Sequence, residues 1–246
     1  MIFIRSIIFQ IYFFISVSIA AIGMCVCRVL PFRLQFYTAS WWSESMLYMG
    51  GLICGLDYVI EGAENIPDEP CVIMIKHTSV FETYAQLSIF PPQAWVVKRE
   101  LRWIPFFGWG LVAMRAIAIN RRDGHSAVTQ VIEQGKRLLE NGICVSIFPE
   151  GTRMPAGKTR KYGVSGAALA KEAGVKIVPA AHNAGDLWPR RGLTKKPGLI
   201  RFCIGPPIDA STQSPKQTNL IVQEWIESKM SEISTAYTQI RPRSPS

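Results

Sequence analysis

The sequence predicts an α/β domain with a mainly parallel central sheet flanked by helices, preceded by a membrane-embedded helical hairpin. Three observations carry this. Short, almost wholly apolar runs (CVIMIK at 71–76, QAWVVK at 93–98, ICVSIFP at 143–149) read as strands buried on both faces. They alternate with segments of helical length, which is the pattern of a parallel sheet covered by helices. The first 57 residues are too apolar and aromatic to face water.

At 246 residues the chain fits one domain with a sizeable core and an appended membrane element. Hydrophobic residues make up 48% and mean hydropathy is +0.16. Charged residues, at 18%, fall below the usual share of about 25%. Part of the surface is therefore expected to be covered by something other than water.

The N-terminal run at 7–26, IIFQIYFFISVSIAAIGMCV, is interrupted only by Gln10, Ser16 and Ser18. As a helix it measures roughly 30 Å, enough to cross a hydrocarbon layer. It lacks an A-x-A cleavage site, so it is read as a retained element and not as a signal peptide. A second segment, 32–56, places Trp41 and Trp42 where headgroup-level aromatics belong. Residues 1–57 are therefore read as membrane-associated helices, with a single spanning helix followed by a core helix as the competing arrangement. Arg5, Arg28 and Arg33 flank the first run on both sides, so charge does not fix its orientation.

From 58 to 238 the chain reads as the folded domain. After the strand at 93–98 comes a loop around WIPFFGWG, then a short strand at 116–120 and a helix at 124–141. Beyond the strand at 143–149 follow a helix at 163–173, strands at 175–181 and 199–208, and an amphipathic helix at 218–237. The tail at 239–246, ending RPRSPS, has the composition of a disordered segment.

Net charge is +9, and from Lys98 to Lys161 twelve basic residues stand against five acidic ones. Anionic partners follow. Nucleic acid suits the charge but not the apolar N-terminus, and no recognition motif is present. The six cysteines show no CxxC spacing and several sit in apolar runs, the usage of buried thiols in a reducing compartment. No cysteine pair has a histidine at ligand spacing, so no metal is expected.

His77 follows the strand at 71–76, and Glu82 comes five residues later in HTSVFE. On a regular helix these two would diverge. They meet if His77 lies on the strand-to-helix turn and Glu82 in the first helical turn. Glu82 then accepts from Nδ1–H and leaves Nε2 free as a general base. His125 reads as a surface or helix-start residue. His182, ending the strand at 175–181, either faces the same site or holds a loop.

FPEGTR, 148–153, ends the most apolar strand, and its Gly, Thr and Arg suit binding of a phosphate. No G-x-S-x-G is present, which disfavours a lipase-like hydrolase. With a base but no protein nucleophile, a substrate hydroxyl is left to attack directly. The competing class is a membrane-attached module that binds anionic lipid heads without turnover.

Four blocks in order resemble the glycerolipid acyltransferases typified by the lysophosphatidate acyltransferases, over about 62–207. After the lead-in EGAENIP (61–67) come KHTSVFE, an H-x4-E form where Asp is commoner than Glu82, then VVKRELRWIPFFGWG (96–110), FPEGTR, and IVPAAHNAG (177–185). Relatives often carry a lysine where KYGVSGAA has Gly163.

The resemblance implies that family's fold, with His77 as general base and Glu82 as its orienting carboxylate. It implies Lys98 and Arg153 as phosphate ligands with Thr152 also on the substrate, a pocket shaped by Glu150 and Gly151, and Pro179 positioning the fourth block. The implied reaction moves an acyl group from acyl carrier protein or coenzyme A to lysophosphatidic acid, making phosphatidic acid for phospholipid synthesis. Other acceptors are another lysophospholipid, glycerol 3-phosphate or a lyso-amino-lipid. The thioester is a co-substrate, and no resident cofactor is implied. Membrane lipids are the expected surroundings, at a bacterial inner membrane with the domain on the cytoplasmic face.

Overall fold

The computed structural model describes residues 1–120 and 124–238; Arg121 and Arg122 of the basic stretch and the tail at 239–246 lie outside the described residues. Among the described residues the strands are β1 (Leu56–Glu61), β2 (Val72–Ile75), β3 (Gln93–Lys98), β4 (Ile117–Ile119), β5 (Cys144–Ile147), β6 (Lys176–His182), β7 (Gly198–Ile204) and β8 (Ile208–Asp209). They form one sheet in the order β1-β7-β6-β2-β5-β3-β4, with β8 on β6. Pairing is parallel except where β7 and β8 run antiparallel to β6.

β2 sits between β5 and β6 and is buried at every residue. Its side chains alternate between two cores, as the pleat requires. Val72 and Met74 join one core with α5 (His125–Glu140), α6 (Ser165–Ala173) and α7 (Pro215–Ile233). Ile73 and Ile75 face α1 (Ile2–Val26), the end of α2 (Phe32–Met49) and α3 (Phe81–Ile89) on the other side. Because β2, β3, β5 and β6 are parallel, their carboxyl ends share one edge, where ligand sites of such sheets collect.

The N-terminal helices pack on the domain. Phe9 of α1 is fully buried, edge-on to Trp188 at 5.7 Å. Ser6 Oγ accepts from the Lys195 N–H at 2.9 Å, and the Met24 carbonyl accepts from Gln35 at 3.0 Å. The outer face of α1 stays bare at Ile11, Phe14, Ile15, Ile19 and Ile22. Within the described residues, Ile2–Val29 is the one helical stretch long and apolar enough to cross a membrane. The second segment is helical only to Met49 and continues as a π turn, Gly50–Cys54. Its inner face is bound to the domain, with Ser43 Oγ donating to the Tyr84 carbonyl at 2.6 Å.

One expectation needs correction, and one strand had no sequence signal. The loop around WIPFFGWG is instead a 3-10 turn, Arg99–Trp103, followed by α4 (Phe107–Ala113). Its glycines are there for close packing: a Cβ on Gly108 would lie 2.2 Å from the Arg102 carbonyl oxygen, and one on Gly110 3.0 Å from Met24 Cε. The lead-in to the domain is the edge strand β1. Its half-exposed LDYVIE, with charges at Asp57 and Glu61, lacks the apolar signature of the inner strands.

Candidate active site

His77 leaves β2 on an irregular turn, and α3 begins four residues later, so Glu82 falls in its first turn. His77 Nδ1 lies 2.8 Å from Glu82 Oε1. The same oxygen accepts from the backbone N–H of Thr78 at 3.0 Å and of Ser79 at 2.9 Å. A carboxylate at a helix N-terminus, holding two amides, is well placed to stay ionised. Its other oxygen lies 3.5 Å from His182 Nε2. Burial would raise the Glu82 carboxyl, but the imidazoles of His182 and His77 and the Ser79 amide outweigh it and hold it below the usual range.

His77 stacks on Phe148, with centroids 3.9 Å apart at 13°. Burial lowers its pKa against the opposing pull of Glu82. The ring is therefore neutral near pH 7, with Nδ1–H given to Glu82 and Nε2 left to accept a proton.

Behind this pair lies a charge cluster that the sequence reading did not find. Lys76, wholly buried, donates to Glu150 Oε1 at 2.7 Å and Glu227 Oε1 at 2.8 Å. Glu227 also accepts from the hydroxyls of Thr159, Tyr162 and Tyr237 at 2.8, 2.6 and 2.8 Å. Glu150 Oε2 accepts from the His77 N–H at 3.0 Å, and the His77 carbonyl accepts from the Met154 N–H at 2.7 Å. The turn after β5 thus clamps the backbone of His77 on both sides. Burial pushes the Glu150 carboxyl up to about 7, against the pull of Lys76. A lysine inside the apolar run CVIMIK was the available signal, since a lysine there needs carboxylate partners. Glu227, one charge on an amphipathic helix, gave none.

A cavity of about 420 Å³ opens beside His77. Its walls include Phe13, Phe14 and Val17 of α1, Trp95 and Val97 of β3, and Ile104 and Phe106 before α4. His77, Lys98 and Arg153 supply its titratable groups. Size and lining suit a largely apolar ligand with one anionic end. No sequence signal showed that α1 would form a wall.

The remaining predicted residues are placed differently. Glu150 is buried and fully engaged with Lys76 and His77, so it supports the site from behind and does not line the cavity. Gly151, at φ +67, makes the turn that brings Arg153 round and borders a separate cavity of about 200 Å³. Thr152 is half-buried beside Arg153 and is not among the cavity walls. Pro179 is buried in β6 opposite Met74, where its carbonyl accepts from the Gly205 N–H at 2.8 Å. His182 both ends β6 and approaches Glu82, while its Nε2 lies 2.8 Å from the Lys76 carbonyl. His125 opens α5.

Comparison with known proteins gives the family. The family model described as Acyltransferase matches residues 57–183. A 1-acyl-sn-glycerol-3-phosphate acyltransferase of Pseudomonas aeruginosa is 37% identical over 99% of this chain and 96% of its own. The chloroplastic LPAT1 of Arabidopsis thaliana, also named a 1-acyl-sn-glycerol-3-phosphate acyltransferase, is 28% identical over 82% of this chain and 59% of its own. The crystal structure of the 1-acyl-sn-glycerophosphate (LPA) acyltransferase PlsC from Thermotoga maritima superposes with a TM-score of 0.79 at 22% identity, over 98% of this chain and 97% of that one, and shares the fold. The chain belongs to the acyltransferase family and is an acyltransferase.

Proposed function

We propose that the enzyme transfers a fatty acyl group from a thioester to the 2-hydroxyl of a 1-acyl-glycerol 3-phosphate, giving phosphatidic acid. The observation that carries this reading is the cavity beside His77, with Lys98 and Arg153 among apolar walls that include α1. The name of the Pseudomonas relative supports the acceptor.

In this scheme Lys98 and Arg153 hold the acceptor's phosphate, with the two-pronged guanidinium setting its orientation. His77 Nε2 takes the hydroxyl proton as the oxygen attacks the thioester carbonyl. Glu82 keeps the ring in the productive tautomer and stabilises the imidazolium. The tetrahedral centre collapses, the carbon–sulfur bond breaks, and the imidazolium returns its proton to the departing thiolate. Acyl carrier protein or coenzyme A is the thiol carrier and co-substrate, and no resident cofactor or metal takes part. Glu150 and Pro179 act through the backbone, the first on His77 and the second on the strand that ends in His182.

The membrane attachment is read from α1. The Lys195 N–H on Ser6 near one end and the packing of α4 on Ala21 and Met24 near the other tie it along the domain. It therefore lies in one leaflet with its bare face in lipid, at the cytoplasmic face of a bacterial inner membrane. His77→Ala, purified and folded, should lose transfer by roughly 10²–10⁴-fold. Retained transfer would refute the role of His77. A panel of acceptors and of the two thioester donors, read by product mass, tests the substrates: the reading fails if lysophosphatidate is not acylated or if another acceptor is strongly preferred.

A further inference from the structure

The segment 103–109 projects aromatic side chains that the domain does not cover. Trp103 is 83% exposed and Trp109 52%, with Ile104 and Phe106 also open. Contiguous exposed aromatics of this size mark an interaction surface. At the tip the Phe107 N–H reaches the Pro105 carbonyl at 2.7 Å, and Phe106 between them sits at φ 60, ψ −60. This is the tight three-residue turn that L-residues avoid, and a phenylalanine is held in it. Gly108 N–H to the Ile104 carbonyl and Gly110 N–H to the Phe106 carbonyl, at 2.7 and 2.9 Å, fix it there.

The tip is continuous with two other features. Ile104 and Phe106 form one wall of the cavity beside His77, and Phe14 and Val17 of α1 help form the rest. α4, which carries Trp109, packs on α1 where Gly110 meets Met24 and Ala21. Arg99 and Arg102 are exposed on the turn leading in. Tryptophans with arginines alongside them suit the boundary between acyl chains and anionic headgroups.

We propose that segment 103–109 is a second membrane-inserted element, a rim that dips into the bilayer beside α1, so that substrate acyl chains enter the cavity sideways between the two. This rests on the reading of the enzyme as membrane-bound. It adds a contact made by the catalytic domain itself.

The test uses the full-length enzyme in vesicles of phosphatidylethanolamine and phosphatidylglycerol with brominated acyl chains, which quench tryptophan on contact. Emission differences between wild type and Trp103→Phe, Trp109→Phe or Trp41→Phe isolate each site. Trp41, 80% exposed on α2, reports the N-terminal helices. Quenched Trp103 and Trp109 are the expected result. If Trp41 is quenched and these two are not, the rim proposal is overturned and the N-terminal attachment stands. If none is quenched, both fall. Unquenched emission that changes with protein concentration would assign the patch to a second copy and also overturn the proposal.

A double variant, Trp103→Ser with Trp109→Ser, should lose activity roughly tenfold on a long-chain acceptor held in vesicles. It should keep wild-type activity on a short-chain, water-soluble acceptor. Equal loss on both acceptors would make the tryptophans structural and overturn the proposal.

Discussion

Glu150 Oε2 accepts the His77 N–H at 3.0 Å while Oε1 takes the ammonium of Lys76 at 2.7 Å. Glu150→Gln keeps the volume but turns an amide NH₂ toward one of these two donors. With Glu227 still on Lys76, the expected cost is about 1–3 kcal/mol of stability together with a fall in kcat. Glu150→Ala should cost more, about 3–5 kcal/mol, because it removes a partner from a buried ion pair. Denaturant unfolding in detergent, run beside steady-state kinetics, measures both.

Glu82 permits a graded test. Glu82→Gln places an amide where the carboxylate accepts His77 Nδ1–H and two backbone amides, and activity should fall roughly 10²–10⁴-fold. Glu82→Asp keeps the charge but withdraws it by one methylene, so activity should fall only about tenfold, the worth of one weakened hydrogen bond. Loss should appear in kcat and not in the acceptor KM for both variants. A change confined to KM would remove Glu82 from the proton-transfer step.

The pH dependence follows from the directions of three shifts. His77 lies below its ordinary 6.5, so the acid limb of kcat/KM should fall below that value. In the unfolded chain His77 takes up its proton at higher pH than in the fold, so it contributes stability that is lost as pH drops below 6.5. Glu82, lowered from 4.5, contributes in the same sense, and its share is lost as pH falls below that value. Glu150, raised from 4.5 to about 7, acts oppositely: its contribution is full below 4.5 and is lost as pH rises through about 7. A pH series of unfolding midpoints for wild type and Glu150→Gln isolates this term. An acid limb above 6.5 would contradict His77 as the base.

Arg153→Ala should raise the acceptor KM roughly 10–100-fold with a smaller effect on kcat, as loss of a charge-assisted contact made in both ground and transition states requires. Lys98→Ala should act in the same direction. Adding phosphate as a competitor should weaken wild type more than either variant. An unchanged acceptor KM in both variants would take the phosphate away from this pair.

Gly185→Ala tests the fourth block. A Cβ there would lie 2.8 Å from both Cβ and Oγ1 of Thr78, the residue after His77. Thr78 must move, and about 1–3 kcal/mol of destabilisation is expected along with lost activity. Retention of both would show that the turn after β2 has room to relax.

Much of the site was legible because its residues sit in short strings at strand ends. His77 and Glu82, Lys98 and Arg153 each follow a run whose apolar pattern marks it as an inner strand. Support from a distance was not legible. Glu227 reaches Lys76, and Tyr162 reaches Glu227, across long stretches of chain, and nothing local to either predicts the contact. α4 was hidden because Gly108 and Gly110 argue for a loop until their neighbours are known, and β1 because an edge strand need not be apolar. The role of α1 was half visible: its composition marked it as a helix apolar enough to meet lipid, but not that Phe13 and Phe14 would also face the substrate cavity.

The tie between Lys76 and Glu227 has a consequence for how the enzyme comes into being. The two are 151 positions apart, so the ammonium beneath His77 lacks one of its carboxylates until α7 has left the ribosome and docked. A nascent chain that has not yet docked this helix would hold every block of the active site and still lack this prop. Catalytic competence should therefore arrive late in synthesis, with the helix that carries Glu227. A chain ending just before Glu227 should reach the membrane yet remain inactive.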